Sequence, residues 1–127
     1  MINEQKMMKR SFVFKSHPRL VYPEGLRPEV LNLNCHVIDL SRHGINMVLK
    51  ERTYKCPTAV QLNSSISIEL KFHDGEVYYL TAKILRCYED ARLGRTCFAG
   101  HIEHGIDDAR IAKESEFIAN ESLAVVC

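Results

Sequence analysis

One segment of the sequence combines three residue types that could bind a polar ligand, because Asp39, Ser41 and Gly44 stand in the order Asp-x-Ser-x-x-Gly. A carboxylate can accept two hydrogen bonds from a base edge such as the N1–H and N2–H₂ groups of guanine. A serine hydroxyl can donate to a phosphate, and a glycine allows close backbone approach or a positive φ. An ordinary β-turn explains the same letters. On the pattern alone, both interpretations stay open.

The same loop also contains His43, which together with Ser41 and Asp39 has the residue types of a hydrolytic triad. Neighbouring residues on one short loop rarely hold the geometry of a triad, whose members come from distant parts of a fold. No phosphate-binding Gly-x-x-x-x-Gly-Lys loop or zinc-protease motif is present. We therefore expect a protein without enzymatic activity.

The cysteines do not indicate a metal site or a disulfide framework. Their number is odd and their spacing irregular, at Cys35, Cys56, Cys87, Cys97 and Cys127. The sequence has no Cys-x-x-Cys or His-x-x-x-His pair of the kind that zinc sites use. We expect free thiols that serve as small hydrophobic side chains, and neither a metal nor a cofactor.

The loop must be positioned by β-strands, and the clearest strand runs from Ile66 to Phe72. Its apolar and polar residues alternate, which is typical of a half-buried antiparallel strand. The sequence His73-Asp74-Gly75 then predicts a tight hairpin turn, with the return strand over Glu76 to Tyr88. Because the apolar phase of the return strand is mixed, it predicts a bulge or burial on both faces.

Four further segments have strand-like patterns. They are an extended segment over Phe12–Tyr22, alternating residues from Leu31 to Val37, a resumed alternation from Ile45 to Leu49, and a strand over Thr96–Ile102. Six short strands joined by turns indicate a small barrel or sandwich.

A helix is predicted near residues 107–121. Asp107 and Asp108 suit its N-terminus, where acidic side chains are favourable. Ile111, Ser115 and Ile118 form a narrow face at helical spacing, with Ala112 and Ala119 beside it. The predicted fold class is therefore all-β with a C-terminal helix.

With these elements in place, the chain resembles the PilZ domain family, whose members are six-stranded antiparallel β-barrels that bind cyclic di-GMP in many bacteria. The resemblance rests on Asp39-Leu40-Ser41-Arg42-His43-Gly44, on the central hairpin, on the strand around Phe98 and on the terminal helix. It implies that Asp39, Ser41 and Gly44 line a dinucleotide site, with Arg42 and His43 as possible additional ligand-binding residues. The ligand implied is cyclic di-GMP.

The second half of the family signature, Arg-x-x-x-Arg before the first strand, is incomplete. Arg10 can stand for the first arginine, but Phe14 occupies the position of the second, and the nearest cation is Lys15. Arginine offers a planar, bidentate donor group, whereas lysine offers a point charge. The resemblance implies that Arg10 and Lys15 bind the ligand, with Lys9 as a possible addition.

Composition limits the partners and the location. The 127 residues contain 17 Lys and Arg against 16 Asp and Glu, so a generic nucleic-acid binder is not expected. This balance conceals a basic segment over residues 1–28 and an acidic segment over residues 103–127. No run of residues is apolar enough to span a membrane or to form a secretory signal. We expect a cytoplasmic protein with a basic, flexible arm over residues 1–15 and one barrel domain over residues 16–127.

Two functions follow from the resemblance. One is a cyclic di-GMP receptor that transmits the level of this second messenger to a partner protein, for example in motility or biofilm control. Its basic arm would order over the ligand, and the acidic helix is one alternative docking place for that arm. The other function is a PilZ-like interaction adaptor that has lost dinucleotide binding. An oligonucleotide-binding barrel would need exposed aromatic residues, and at most one of Tyr78 and Tyr79 is expected to point outward.

Overall fold

The computed structural model describes residues 19–51 and 60–126, with side chains to residue 121. Within these described residues, seven strands precede one α-helix. They are β1 (Leu20–Val21), β2 (Glu29–Val30), β3 (Cys35–Leu40), β4 (Gly44–Leu49), β5 (Ser65–Lys71), β6 (Val77–Asp90) and β7 (Arg95–His104), followed by α1 (Asp108–Val126).

Six of the strands close into an antiparallel barrel. The order β3-β2-β5-β6-β7-β4 is continuous, and the pairing of β3 with β4 closes the ring. The seventh strand, β1, pairs with the same edge of β3 as β2 does, but at its other end, since Leu20 lies opposite Leu40 and Val30 opposite Cys35. A 3-10 helix over Glu24–Leu26 lies between β1 and β2. The predicted six-stranded barrel with a C-terminal helix is confirmed, with β1 as a short extra strand.

The barrel interior is filled by the apolar residues that the alternating pattern predicted. In β5, Ile68 and Leu70 are completely buried, whereas Ser67 and Lys71 are exposed. The predicted turn after β5 is also present, because Gly75 has a φ of 87° and its N–H donates to the carbonyl oxygen of Phe72. These features depend on residues adjacent in sequence, which explains why the pattern alone identified them.

The return strand β6 contains the predicted irregularity. Its register with β7 shifts between Thr81 and Ala82 and again between Ile84 and Arg86. At the first shift the extra residue is Glu103 of β7, and Leu80, Ala82 and Ile84 keep their inward alternation. At the second shift the extra residue is Leu85 of β6, so the next side chain packed against the core is that of Cys87, which accounts for the mixed apolar phase. Tyr79 is 66% exposed, whereas Tyr78 packs against the core, so one tyrosine ring points outward, as expected.

Two strand predictions need correction at their ends. The predicted strand over Leu31–Val37 begins only at Cys35, because residues 31–34 form a turn in which Asn34 adopts a φ of 53°. This turn joins β2 to β3 as a hairpin. Of the predicted Phe12–Tyr22 segment, only Leu20–Val21 is a strand among the described residues, and residues 12–18 lie outside them.

The helix begins as predicted but ends later. The Asp107 Oδ1 atom accepts a hydrogen bond of 2.9 Å from the backbone N–H of Arg110, which is the contact of an N-cap. The helix continues to Val126 instead of ending near residue 121. No glycine or proline lies between Asp108 and Val126 to stop it.

The inner face of the helix differs from the predicted apolar face. Ile111 is buried and Ile118 partly buried, but Ser115 is exposed, as are Ala112 and Ala119. The side chains that turn inward instead are those of Arg110 and Glu114, which are 2% and 0% exposed. Sequence periodicity treats charged residues as outward-facing, and only their compensation by partners elsewhere in the chain permits this burial.

Arg110 and Glu114 pair with each other, and their other partners come from the residue after β1 and from the turn between β5 and β6. The guanidinium of Arg110 donates to Glu114 at 2.6 Å, to Asp74 at 2.8 Å and to Glu76 at 2.7 Å. The other oxygen of Glu114 accepts a hydrogen bond of 2.7 Å from the hydroxyl of Tyr22, next to β1. The helix is therefore fixed to the barrel by a buried polar network as well as by Ile111.

The cysteine prediction holds only in part. Cys35 and Cys97 are free and buried, as expected of small hydrophobic side chains. Cys87 is disulfide-bonded, so the expectation of free thiols is wrong at this position. Spacing along the chain does not report which cysteines are brought together by folding, so the irregular spacing could not predict this bond.

Candidate functional site

A bulge in β3 decides where the Asp39 carboxylate lies. Cys35 and Val37 face the interior, so uninterrupted alternation would turn Asp39 inward as well. The register between β3 and β4 shifts between Val37 and Asp39, and Ile38 is the extra residue. Leu40 consequently takes the inward position, while Asp39 lies on the outer face opposite Asn46.

The Asp39 carboxylate is held by two side chains. Its Oδ1 atom accepts a hydrogen bond of 2.8 Å from the Asn46 amide, and its Oδ2 atom accepts one of 3.0 Å from Arg19. The Asp39 side chain is 9% exposed and that of Arg19 is 67% exposed. Each carboxylate oxygen has two lone pairs, so acceptor capacity remains for a ligand donor.

The predicted turn after Asp39 is also present, and it is tighter than expected. β3 runs on to Leu40 and β4 starts at Gly44, so only residues 41–43 interrupt the strands. The Ser41 N–H donates to the Gly44 carbonyl at 2.8 Å, and the Gly44 N–H donates to the Ser41 Oγ at 3.0 Å. A Cβ atom on Gly44 would lie 3.2 Å from that Oγ. Ser41 and Gly44 thus hold the turn together through these hydrogen bonds, whereas Asp39 bonds outside the turn.

The other two candidates of this loop point elsewhere. The Arg42 guanidinium donates to the carbonyl oxygen of Ile106 and lies 3.4 Å from the carboxylate of Asp108. His43 is exposed, and its carbonyl oxygen accepts a hydrogen bond from the N–H of Ile102. Arg42 therefore ties the loop to the start of α1, whereas Asp39 bonds Asn46 and Arg19.

Asp39 contributes to a cleft of about 450 Å³ on the outer face of the barrel. The walls contain three arginines, two aspartates, an amide, a phenol and apolar side chains. These residues are Arg19, Val21, Arg27, Ile38, Asp39, Asn46, Tyr88, Asp90, Arg92 and Leu93. Ser41, Arg42, His43 and Gly44 are not among them, so the structure brings only one of the five predicted loop residues into this cleft.

Most residues of the cleft were missed by the sequence analysis. Asn46 had a usable signal, because it is a polar residue between the inward-facing Ile45 and Met47. Arg19, Arg27 and Arg92 had none beyond their charge, since they are brought together only by the folded chain. The predicted ligand residues Lys9, Arg10 and Lys15 lie outside the described residues.

The part of the chain that the structure describes contains neither a metal-binding cluster nor a membrane-spanning helix. No group of three or more His, Cys, Asp or Glu side chains there could hold a metal ion. Within the same part of the chain, no helix is long and apolar enough to cross a membrane.

Comparison with protein families adds a match to the PilZ domain over residues 9–115. The chain belongs to the PilZ domain family. The match includes the Asp39–Gly44 motif and the basic segment with Lys9, Arg10 and Lys15, so the predicted family is confirmed. No curated protein matches the chain.

Two solved structures share the fold of this PilZ domain. One is described as the PilZ domain with c-di-GMP of YcgR from Escherichia coli, with 14% identity, a TM-score of 0.60, and coverage of 87% of this chain and 95% of that one. The other is YcgR in complex with c-di-GMP from the same organism, with 18% identity and a TM-score of 0.58. The match to the latter covers 87% of this chain and 50% of that one.

Proposed function

We propose that this protein is a cyclic di-GMP receptor without catalytic activity, which transmits the level of the second messenger to a partner protein. The observation that carries the proposal is the outward-facing Asp39 carboxylate in a cleft lined by arginines. A guanine edge presents N–H donors that a carboxylate accepts, and arginines pair with phosphodiester groups. One cleft therefore offers groups for both parts of the ligand.

The comparisons support this ligand indirectly. Both solved structures that share the fold are described as complexes of YcgR with c-di-GMP. The Asp-x-Ser-x-x-Gly motif that carried the resemblance lies within the family match.

In this proposal the basic arm completes the site. Arg10 and Lys15, with Lys9, would close over the dinucleotide and become ordered by it. Ordering of a charged segment changes which surface is available to a partner, and a ligand that binds only the ordered form shifts the population toward it. Ser41 and Gly44 support this site by shaping the turn after Asp39, and Ser41 keeps a hydroxyl proton for donation.

Titration calorimetry with cyclic di-GMP tests the proposal. We expect saturable binding by the wild-type chain and a loss of about 10- to 150-fold in affinity for Asp39→Ala, since a hydrogen bond to a charged group contributes about 1.5–3 kcal/mol. Glu116→Ala is the control, because Glu116 is exposed on α1 and does not line the cleft.

Absence of heat at high micromolar ligand, or equal isotherms for wild type and Asp39→Ala, would refute the receptor function. Thermal melting of each variant establishes that it is folded before the titration is interpreted.

A second function is a PilZ-like interaction adaptor that has lost dinucleotide binding. It is favoured by the hydrogen bonds that both oxygens of Asp39 already make with Asn46 and Arg19. It is also favoured by Phe14 at the position of the second arginine. If two charged contacts were absent, the deficit would be about 3–6 kcal/mol, or roughly two to four decades in Kd. A folded wild-type chain that does not bind the dinucleotide would support this function.

A further inference from the structure

We propose that a second cleft, between the 3-10 helix, the end of β5 and α1, binds an acidic peptide segment of the partner protein through one aromatic side chain. This inference rests on the partner binding that both proposed functions include, and it adds the surface on which the partner docks. The cleft has a volume of about 270 Å³. Its lining comes from three separate parts of the chain, namely residues 25–29, residues 71–73 and Phe117.

The apolar part of this cleft suits one aromatic ring. Leu26 and Phe117 are half-buried and Phe72 is 2% exposed, so apolar surface borders the cleft on more than one side. The Phe117 ring stacks on that of His73, with 3.6 Å between the ring centroids and 3° between the planes. Small-molecule sites usually have about 300–1,000 Å³, so a cleft of this size fits one side chain better than a whole metabolite. Aromatic side chains seated in such pockets dominate the binding energy of many protein interfaces.

Two cations beside this apolar surface are available for carboxylates. Lys71 is exposed at the last position of β5 and forms no salt bridge with a described residue. Glu29 lies opposite Lys71 in the register of β2 with β5, but the Glu29 carboxylate pairs with Lys50. Arg27 likewise has no salt bridge within the described residues, and its buried Nε atom has no acceptor there. A guanidinium can bind a carboxylate through two parallel hydrogen bonds, so Arg27 suits an acidic partner.

The acidic groups next to the cleft are already compensated. Besides Glu29, the nearby carboxylate is that of Glu114, which accepts hydrogen bonds from Tyr22 and Arg110 and lies 2.9 Å from Nδ1 of His73. The charge that a partner meets is therefore positive, which favours an acidic segment. The predicted arm over residues 1–15 is basic and is repelled by the same cations.

Fluorescence titration of the full chain with a synthetic peptide tests the proposal. The peptide acetyl-Asp-Asp-Trp-Asp-Asp-amide has one aromatic ring flanked by carboxylates. Because the chain contains no tryptophan, selective excitation of tryptophan reports on the peptide alone. We expect saturable binding with a Kd of about 10–500 μM, and emission at shorter wavelength as the ring leaves water. The basic peptide acetyl-Lys-Lys-Trp-Lys-Lys-amide should bind at least about tenfold more weakly.

Substitutions in the cleft separate the contribution of charge from that of the apolar wall. Lys71→Gln should weaken binding of the acidic peptide by roughly 3- to 10-fold, and Lys83→Gln is its control, since Lys83 is an exposed cation outside the cleft. Phe117→Ala should weaken binding at least about fivefold. Tyr79→Ala is the control for Phe117→Ala, because the Tyr79 ring is 66% exposed and does not line the cleft. Each control should change the affinity less than about twofold.

Three results would overturn the proposal. One is the absence of a saturable change in emission up to about 1 mM peptide. Another is equal affinity of the wild type, Lys71→Gln and Phe117→Ala. The third is equal binding of the acidic and the basic peptide, which would show apolar adhesion without selection by charge. Because Lys71 is exposed, Lys71→Gln keeps the test decisive even if Phe117→Ala fails to fold.

Titration of the same chain with cyclic di-GMP separates this inference from the functions on which it rests. If the dinucleotide binds and the acidic peptide does not, the receptor function stands and the docking surface is wrong. If the peptide binds and the dinucleotide does not, the docking surface stands and the chain is an interaction adaptor.

Discussion

Replacing Tyr22 by phenylalanine removes one hydroxyl from the network that fixes α1 to the barrel. The Tyr22 side chain is 2% exposed, and its hydroxyl donates to the Oε1 atom of Glu114 at 2.7 Å. Phenylalanine keeps the ring, so the packing around it is retained. The substitution leaves one oxygen of a completely buried carboxylate without its donor.

The expected cost follows from the remaining partners of Glu114. Its Oε2 atom keeps the hydrogen bond of 2.6 Å from Arg110 and the contact of 2.9 Å with Nδ1 of His73. The charge of the Glu114 carboxylate therefore stays compensated, and the expected cost is that of the lost hydrogen bond alone. A hydrogen bond to a charged group contributes about 1.5–3 kcal/mol, so we expect Tyr22→Phe to lower the free energy of unfolding by that amount. For a chain of this size the melting temperature should fall by roughly 5–15 °C.

The pH dependence gives an independent test of the same contact. Burial, followed by the hydrogen bond to Glu114 and its charge, raises the pKa of Tyr22 far above its ordinary value of 10.0. Above pH 10 the unfolded chain loses the phenolic proton while the folded chain keeps it, so stability falls as the pH rises. Between pH 10 and pH 11 this contribution is about 1 kcal/mol. The difference between wild type and Tyr22→Phe should narrow over that interval.

Urea unfolding at pH 8, 10 and 11 measures both effects. Tyr79→Phe is the control, because Tyr79 is 66% exposed, and its substitution should change stability by less than about 0.5 kcal/mol. The reasoning is refuted if Tyr22→Phe unfolds within that margin of wild type at pH 8. It is equally refuted if the difference between the two proteins stays constant up to pH 11.

Two further predictions concern backbone geometry and thiol reactivity. Gly105→Ala should destabilise the fold by at least about 2 kcal/mol, because φ is +114° and the new Cβ would lie 2.6 Å from the carbonyl oxygen of Tyr79. Gly75 has a φ of +87° but open space around an added Cβ, so Gly75→Ala should lower the free energy of unfolding by only about 1 kcal/mol. Urea unfolding measures both variants, and similar midpoints for the two would contradict the steric argument. Burial raises the pKa of the Cys35 thiol to about 12, so Cys35 should resist alkylation at pH 8 until the protein is unfolded. Mass spectrometry of the alkylated peptides checks this, and rapid labelling of Cys35 in the folded protein would show that the strand opens.

Local patterns in the sequence were sufficient for several elements. The alternation in β5, the Asp74-Gly75 turn and the Asp107 cap all depend on residues within a few positions of each other, and all were confirmed. The family resemblance was confirmed for the same reason, because its motif is a short, contiguous segment.

What the sequence could not decide is which polar groups turn outward and which turn inward. The bulge at Ile38 reverses the orientation of Asp39, and its register depends on the pairing of β3 with β4. Arg19 reaches Asp39 from 20 positions away, and the buried charge of Arg110 is compensated in part by Asp74, which lies 36 positions away. The sequence by itself thus determined the family, the barrel and the motif. The composition of the cleft and the attachment of α1 were decided by the tertiary structure, because contacts between distant segments provide their hydrogen bonds and balance their charges.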